Sequence, residues 1–250
     1  MRIEKLDKFY GEKQVVKDVS FKLPKGKVIS LIGPNGAGKS TVLNIITRLI
    51  SQDAGEVFFD DKELKQWKNK ELAKRLAILT QNTNISMKLK VRELVGFGRF
   101  PYSGSSLTED DFKKVDEAIA YMELDDLKDR FIDELSGGQL QRAYIAMVIA
   151  QDTDFVFLDE PTNNLDIYHS SNMMKLVRRL CDELNKTVIL VLHEINFASA
   201  YSDYIGAFKD GELYKFDEVN EVMTKENLKH LYEVEFDIQM INGRPISIYY

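Results

Sequence analysis

Short continuous apolar runs alternate with amphipathic stretches along this chain. Near the start the period is two. Val19, Phe21 and Leu23 point one way while Ser20 and Lys22 point the other, as on a half-buried strand. With residues 2–6 this predicts antiparallel strands. Val28, Ile29, Leu31 and Ile32 form a short apolar run, expected of a buried parallel strand. After a glycine-rich break, Val42, Ile45, Ile46, Leu49 and Ile50 recur at helical spacing. The runs FVFL (155–158) and TVILVL (187–192) predict further buried strands, with a helix around 170–184 between them. Residues 85–150 have a helical pattern. Thr108 and Asp111 make a capping-box variant that opens a helix with Phe112, Val115, Ile119 and Met122 on one side. Gly96, Gly98, Pro101, Ser103 and Gly104 break the chain before it. Asp210-Gly211 between YIGAFK and ELYKF predicts a hairpin. The final stretch, 217–250, is charged and less regular.

This order predicts an α/β fold with a mostly parallel sheet, a flanking antiparallel β part and an inserted helical part. The expected single domain divides into an α/β core at 1–84 and 151–216, helical residues 85–150 and a terminal extension at 217–250. At 250 residues it is long enough for a sizeable core. A net charge of −6 argues against nucleic-acid binding through a broad basic face. No run of 18 apolar residues suggests a membrane span. The first ten residues, MRIEKLDKFY, are charged and mixed, unlike a secretory leader. Cys181 has no partner for an intrachain disulfide, which is consistent with cytosol. His169, His193 and His230 lack metal-ligand spacing.

The chemistry lies at the ends of the predicted strands, where ligands sit in open parallel sheets. Residues 33–41 read GPNGAGKST, which fits G-x-x-x-x-G-K-[ST]. Strand, glycine loop and helix follow in the order that phosphate binding needs. Gly33, Asn35, Gly36 and Gly38 let backbone N–H groups wrap a phosphate chain, and the helix N-terminus adds positive potential. Lys39 is expected on the β- and γ-phosphates and Ser40 on Mg²⁺, with Thr41 supporting the α-phosphate. Asp159 and Glu160 end the run FVFLDE. Asp159 is placed to hold Mg²⁺ and Glu160 to polarise the attacking water. Glutamate is intrinsically a weak base, so its part is as much positioning as proton abstraction. His193 and Gln81 also follow apolar runs. His193 can donate to a γ-phosphate. LSGGQ at 135–139 opens a second helix, with Ser136 as N-cap and Ile145, Ala146, Val148 and Ile149 as its apolar run.

GPNGAGKST, LTQ (79–81), LSGGQ, FVFLDE, NNLD (163–166) and His193 stand in this order, and the chain resembles the ATP-binding subunits of ABC transporters over essentially its whole length. LSGGQ is very specific to that family. The resemblance implies ATP and Mg²⁺ as ligands, with Ser40, Gln81 and Asp159 on the metal. It implies a head-to-tail homodimer with each ATP between one copy's phosphate loop and the partner's Ser136, Gly137, Gly138 and Gln139. Tyr10 is expected to stack on adenine, with Phe9 the competing assignment. Asp166 is expected to reach across the dimer and couple the two sites. The helical part and the Gln81 loop imply a groove for a helix of a membrane permease, and VRELVGFGRF (91–100) is apolar enough to line it. An extracytoplasmic substrate-binding protein and a location on the cytoplasmic face of the membrane follow.

GRFPY (98–102), SLTEDD (106–111), NNLD, HEINFASAYSD (193–203) and ENLKHLYEVEF (226–236) resemble bacterial iron-chelate importer ATPases, with catecholate-type siderophore systems nearest. Haem and cobalamin importers are the alternatives within the group. Soluble ABC-type ATPases that act on DNA or ribosomes usually carry a long coiled coil or two cassettes, and this chain has one set of motifs. HEIN stands where HD is more usual, and Leu140 follows LSGGQ where a basic residue is common.

Overall fold

The alternation over the first residues produces the strands it predicts. β1 (Arg2–Tyr10) and β2 (Lys13–Lys22) pair antiparallel, with Ile3 opposite Phe21 and Leu6 opposite Val19. Val19, Phe21 and Leu23 are buried, and Ser20 and Lys22 are exposed. Then come β3 (Val28–Ile32), α1 (Lys39–Ile46), β4 (Ala54–Phe59) and β5 (Lys62–Glu63). The computed structural model describes residues 1–80, 87–163 and 165–249, and the chain divides into two units, Met1–Trp67 with Arg178–Tyr250 and Lys68–Val177. Lys68–Val177 contains α2 (Asn69–Leu72), β6 (Leu76–Leu79), α3 (Val91–Gly96), α4 (Phe100–Ser103), α5 (Glu109–Tyr121), α6 (Gly137–Ala150) and β7 (Phe155–Asp159), and α7 (Ile167–Asp182) begins there. The first unit resumes with β8 (Thr187–Val191), α8 (Ile195–Tyr201), β9 (Tyr204–Lys209), β10 (Glu212–Glu218), α9 (Val219–Val222), α10 (Lys225–Tyr232), β11 (Asp237–Ile241) and β12 (Arg244–Ile248).

In the first unit, β3 pairs parallel with β8 on one side and β9 on the other. All five residues of β3 are buried, which is why its sequence shows no alternation. β10 adds antiparallel to β9. Its turn has Asp210 at φ 50 and Gly211 at φ 87, both left-handed as a tight hairpin turn requires. A separate antiparallel sheet has the order β2-β1-β4-β5.

Two expectations differ from the structure. The helix after the glycine loop stops at Ile46, not Ile50. Thr47 Oγ1 donates to the Leu43 carbonyl and Arg48 turns left-handed at φ 61, leaving Leu49 52% exposed. The terminal stretch is regular: Thr224 caps α10 by accepting from the Asn227 N–H, and β11 pairs with β12. Its charges sit on exposed faces, so polarity concealed the order.

In the second unit, β6 and β7 are parallel. Thr108 caps α5 by accepting the Asp111 N–H, as the sequence predicts. α3, α5 and α6 pack together through Val91, Leu94, Val95, Val115, Ile119 and Ala143, all nearly inaccessible to solvent. α6 comes so close to Gly98 that a Cβ there would run into the Met147 carbonyl. Among the described residues, no helix is long and apolar enough to cross a membrane.

Candidate active site

The glycine loop joins β3 to α1 as the sequence predicts. Gly36 has φ 78 and Gly38 φ 96, conformations that a side chain disfavours. A Cβ on Gly38 would lie 2.7 Å from the Val15 carbonyl, while one on Gly36 would meet open space. Gly38 is the N-cap of α1 and provides no side-chain hydrogen bond, so the positive end of the helix faces the loop. Lys39 is buried, and its Nζ donates to the carbonyls of Gly33 at 2.7 Å and Pro34 at 2.8 Å. Ser40 and Thr41 follow in the first turn, partly accessible. Beside the loop lies a cavity of about 570 Å³, lined by Lys13, Gln14, Val15 and Lys17 of β2, residues 34–37 of the loop, and Asp210 and Gly211. Its volume suits a small-molecule ligand.

The parallel register places two more expectations. Leu31 stands opposite Val191, so Gly33 and His193 each lie two residues past that pair, at the same end of their strands. His193 is exposed. Tyr10 ends β1 opposite Lys13, one of the cavity residues, and is 54% exposed. Phe9 is 42% exposed, and its backbone N–H donates to Asp53. Beside Gly33, burial pushes the Tyr232 phenol up to about 12, and the Gly33 backbone opposes the rise.

In Lys68–Val177, β7 ends in Asp159, which is 7% exposed. Glu160 follows in a left-handed conformation, φ 52, at a cost of about 1–3 kcal/mol. The turn that requires it is closed by the Asn163 N–H donating to the Glu160 carbonyl at 3.0 Å. Asn163 Nδ2 also donates to Glu160 Oε2 at 3.2 Å, so the backbone and carboxylate are oriented together. Ser136 caps α6, accepting from the Gln139 N–H, and Gln139 Oε1 accepts from the Ser136 N–H at 3.0 Å. Ser136 and Gly137 are exposed and Gly138 is buried. Gln141 Nε2 of the same helix donates to the Pro161 carbonyl at 3.1 Å, connecting α6 to the Glu160 turn. Asp166 is exposed at the start of α7. Gln81 lies outside the described residues.

Asp159 is a hard oxygen donor of the kind Mg²⁺ takes, its shell completed by phosphate oxygens and water. The sequence and geometry match a known family: the ABC transporter family profile covers residues 16–163. This chain belongs to the ABC transporter family. It is the ATP-binding, ATP-hydrolysing cassette of that family. The chain is 49% identical over 250 residues to the petrobactin import ATP-binding protein YclP of Bacillus subtilis (strain 168), covering 100% of this chain and 99% of that protein. It is 36% identical to the ferric enterobactin transport ATP-binding protein FepC of Escherichia coli (strain K12), covering 99% and 93%. Among solved structures, the dimeric ATP-binding cassette MJ0796 with ADP and Pi aligns with a TM-score of 0.76 at 32% identity, covering 87% of this chain and 97% of that one. An inward-facing metal-chelate type ABC transporter aligns at 0.84 and 24% identity, covering 99% and 97%, a likeness of fold.

Several residues of this ABC cassette escaped the motif reading. Lys13, Gln14 and Val15 lie on an ordinary amphipathic strand, where nothing in the pattern separates a cavity wall from a surface. Asn163 was legible only as part of NNLD. His169 carried a signal, because Asp166 three residues before it fits an N-cap.

Proposed function

We propose that two copies of this ABC cassette close head to tail around two ATP molecules and so drive a permease that imports iron–siderophore complexes of the catecholate type. The cargo reading is supported by 49% identity over the full length of the chain with the petrobactin import protein YclP. The ATP reading is supported by the uncapped helix end, the buried Lys39 and the cavity beside the loop.

Lys39 leaves the Gly33 and Pro34 carbonyls for the β- and γ-phosphate oxygens, which attract an ammonium more strongly than neutral carbonyls do. The α1 N-terminus, with Asn35, Gly36, Gly38 and Thr41, holds the phosphate chain, and Tyr10 stacks on adenine. Glu160 orients the attacking water, with Asn163 keeping its carboxylate in place, and His193 donates to the γ-phosphate. Ser40, Asp159 and Gln81 hold Mg²⁺, which when bound neutralises the charge developing on the phosphates. Ser136, Gly137, Gly138 and Gln139 contact the partner's ATP, and Asp166 couples the two sites.

Within the helical unit, Val91, Leu94 and Val95 are spent on the core, while Phe97 and Phe100 stay 47% and 62% exposed. We assign these two rings to the permease contact. The cassette then works at the cytoplasmic face of the membrane, indirectly served by an extracytoplasmic binding protein. Nucleic acid has no part in this reading, given the net charge of −6.

The test is uptake of labelled iron in cells whose only copy carries Lys39→Ala, supplied with petrobactin, enterobactin, a hydroxamate chelate or haem. Loss of the catecholate chelates alone supports the reading. Loss of haem or hydroxamate uptake with the catecholates intact moves the cargo to that class.

A further inference from the structure

Within Lys68–Val177, one side chain joins the signature helix to the turn bearing Asp166. The His169 backbone N–H and its ring Nδ1 both lie 2.8 Å from Asp166 Oδ1, so a single carboxylate oxygen is held twice. The other edge of the ring rests against Gly138. A Cβ added to Gly138 would lie 2.5 Å from His169 Cδ2 and 3.2 Å from Nε2. The imidazole thus takes the space a side chain at position 138 would need. The Asp166 carboxylate can only accept, so Nδ1–H is the donor in this contact. The Asp166 carboxyl is held below the usual carboxylate range, first by the His169 backbone N–H and then by its ring.

An N-cap needs only the backbone N–H. The ring contacts on Asp166 and Gly138 exceed that need. They are also poor sources of stability, since the two side chains are 46% and 66% exposed and exposed pairs contribute little. Geometry is what remains for the ring to supply. We propose that His169 is a positioning residue that ties Asp166 to the signature helix, so that these two partner-facing elements move as one body. This rests on the ATP-sandwich dimer proposed above, in which both elements face the partner's nucleotide.

The test compares wild type with His169→Asn and His169→Phe by ATPase kinetics and thermal unfolding. Asparagine retains a donor for Asp166; phenylalanine retains the ring bulk against Gly138 without the donor. We expect His169→Phe to lower kcat about fivefold, the scale of an exposed polar pair, with unchanged Tm and little change in KM for ATP. His169→Asn, which keeps a donor for Asp166 but loses the ring against Gly138, should lose about as much. Wild-type kcat in either variant, or a fall in Tm in step with the loss of kcat, overturns the proposal. Gel filtration of Glu160→Gln with Mg-ATP separates the two levels. A dimer there with wild-type kcat in His169→Phe overturns only the role of His169, whereas monomer alone overturns the sandwich and this proposal with it.

Discussion

Arg99 and Asp111 form an ion pair inside the helical unit, with Nε 2.8 Å from Oδ1 and side-chain exposures of 5% and 3%. Arg99 Nη1 also donates to the Ala150 carbonyl at 2.9 Å, and Ser103 and Thr108 donate to the other carboxylate oxygen. These bonds fix the turn between the exposed rings Phe97 and Phe100 to the start of α5 and the end of α6. Asp111→Ala would leave Arg99 buried and uncompensated, at a cost of about 3–5 kcal/mol. Urea unfolding of the variant measures it.

The same pair sets an acid sensitivity. Burial pushes the Asp111 carboxyl up, but hydrogen bonds from Ser103, Thr108 and Arg99 outweigh it and hold the group well below the usual carboxylate range. A depressed folded pKa stabilises above the unfolded value, about 3.9, and that contribution is lost as pH falls through and below it. Wild-type stability should therefore drop more steeply than that of Asp111→Asn between about pH 5 and pH 2. Unfolding free energies across that range check the difference in slope.

The glycines of the phosphate loop should differ in tolerance. Gly36→Ala meets open space and pays only for its left-handed backbone, about 1 kcal/mol. Gly38→Ala also drives its Cβ into the Val15 carbonyl, so the loop must shift. ATP affinity by fluorescent-nucleotide titration should fall several-fold more for Gly38→Ala than for Gly36→Ala.

Glu160→Gln should bind ATP normally and turn it over at least about 100-fold more slowly, the scale of losing one group that acts on the transition state. Asn163→Ala should lower kcat less and leave KM near wild type, since it removes one hydrogen bond to the Glu160 carboxylate. Steady-state ATPase assays on the two variants test the ordering.

Phe97→Ser with Phe100→Ser should leave ATP hydrolysis by the isolated cassette near wild type and abolish iron uptake in cells. Both rings are already exposed, so their loss costs the fold little. Retained uptake would remove them from the permease contact.

Much of this molecule is legible in its sequence. A phosphate loop is a local object: its glycines, lysine and hydroxyl act through backbone conformations that nine consecutive residues specify. The same holds for the Thr108 and Ser136 caps and for the Asp210-Gly211 turn, where donor and acceptor lie within a few residues. The buried strands announced themselves because a strand covered on both faces must be apolar throughout.

Contacts between distant segments carry no such mark. Sequence spacing placed LSGGQ and NNLD in order, but only the fold set the His169 ring between Asp166 and Gly138. An exposed tyrosine and a cavity-lining lysine look alike in a strand, so Tyr10 and Lys13 gained their places from β1–β2 pairing. VRELVGFGRF reads as one apolar segment, and helix packing alone decided that Val91, Leu94 and Val95 turn inward while Phe97 and Phe100 face out. Local chemistry is written in neighbouring residues, whereas which face of a helix is buried depends on what packs against it, and that is a property of the whole chain.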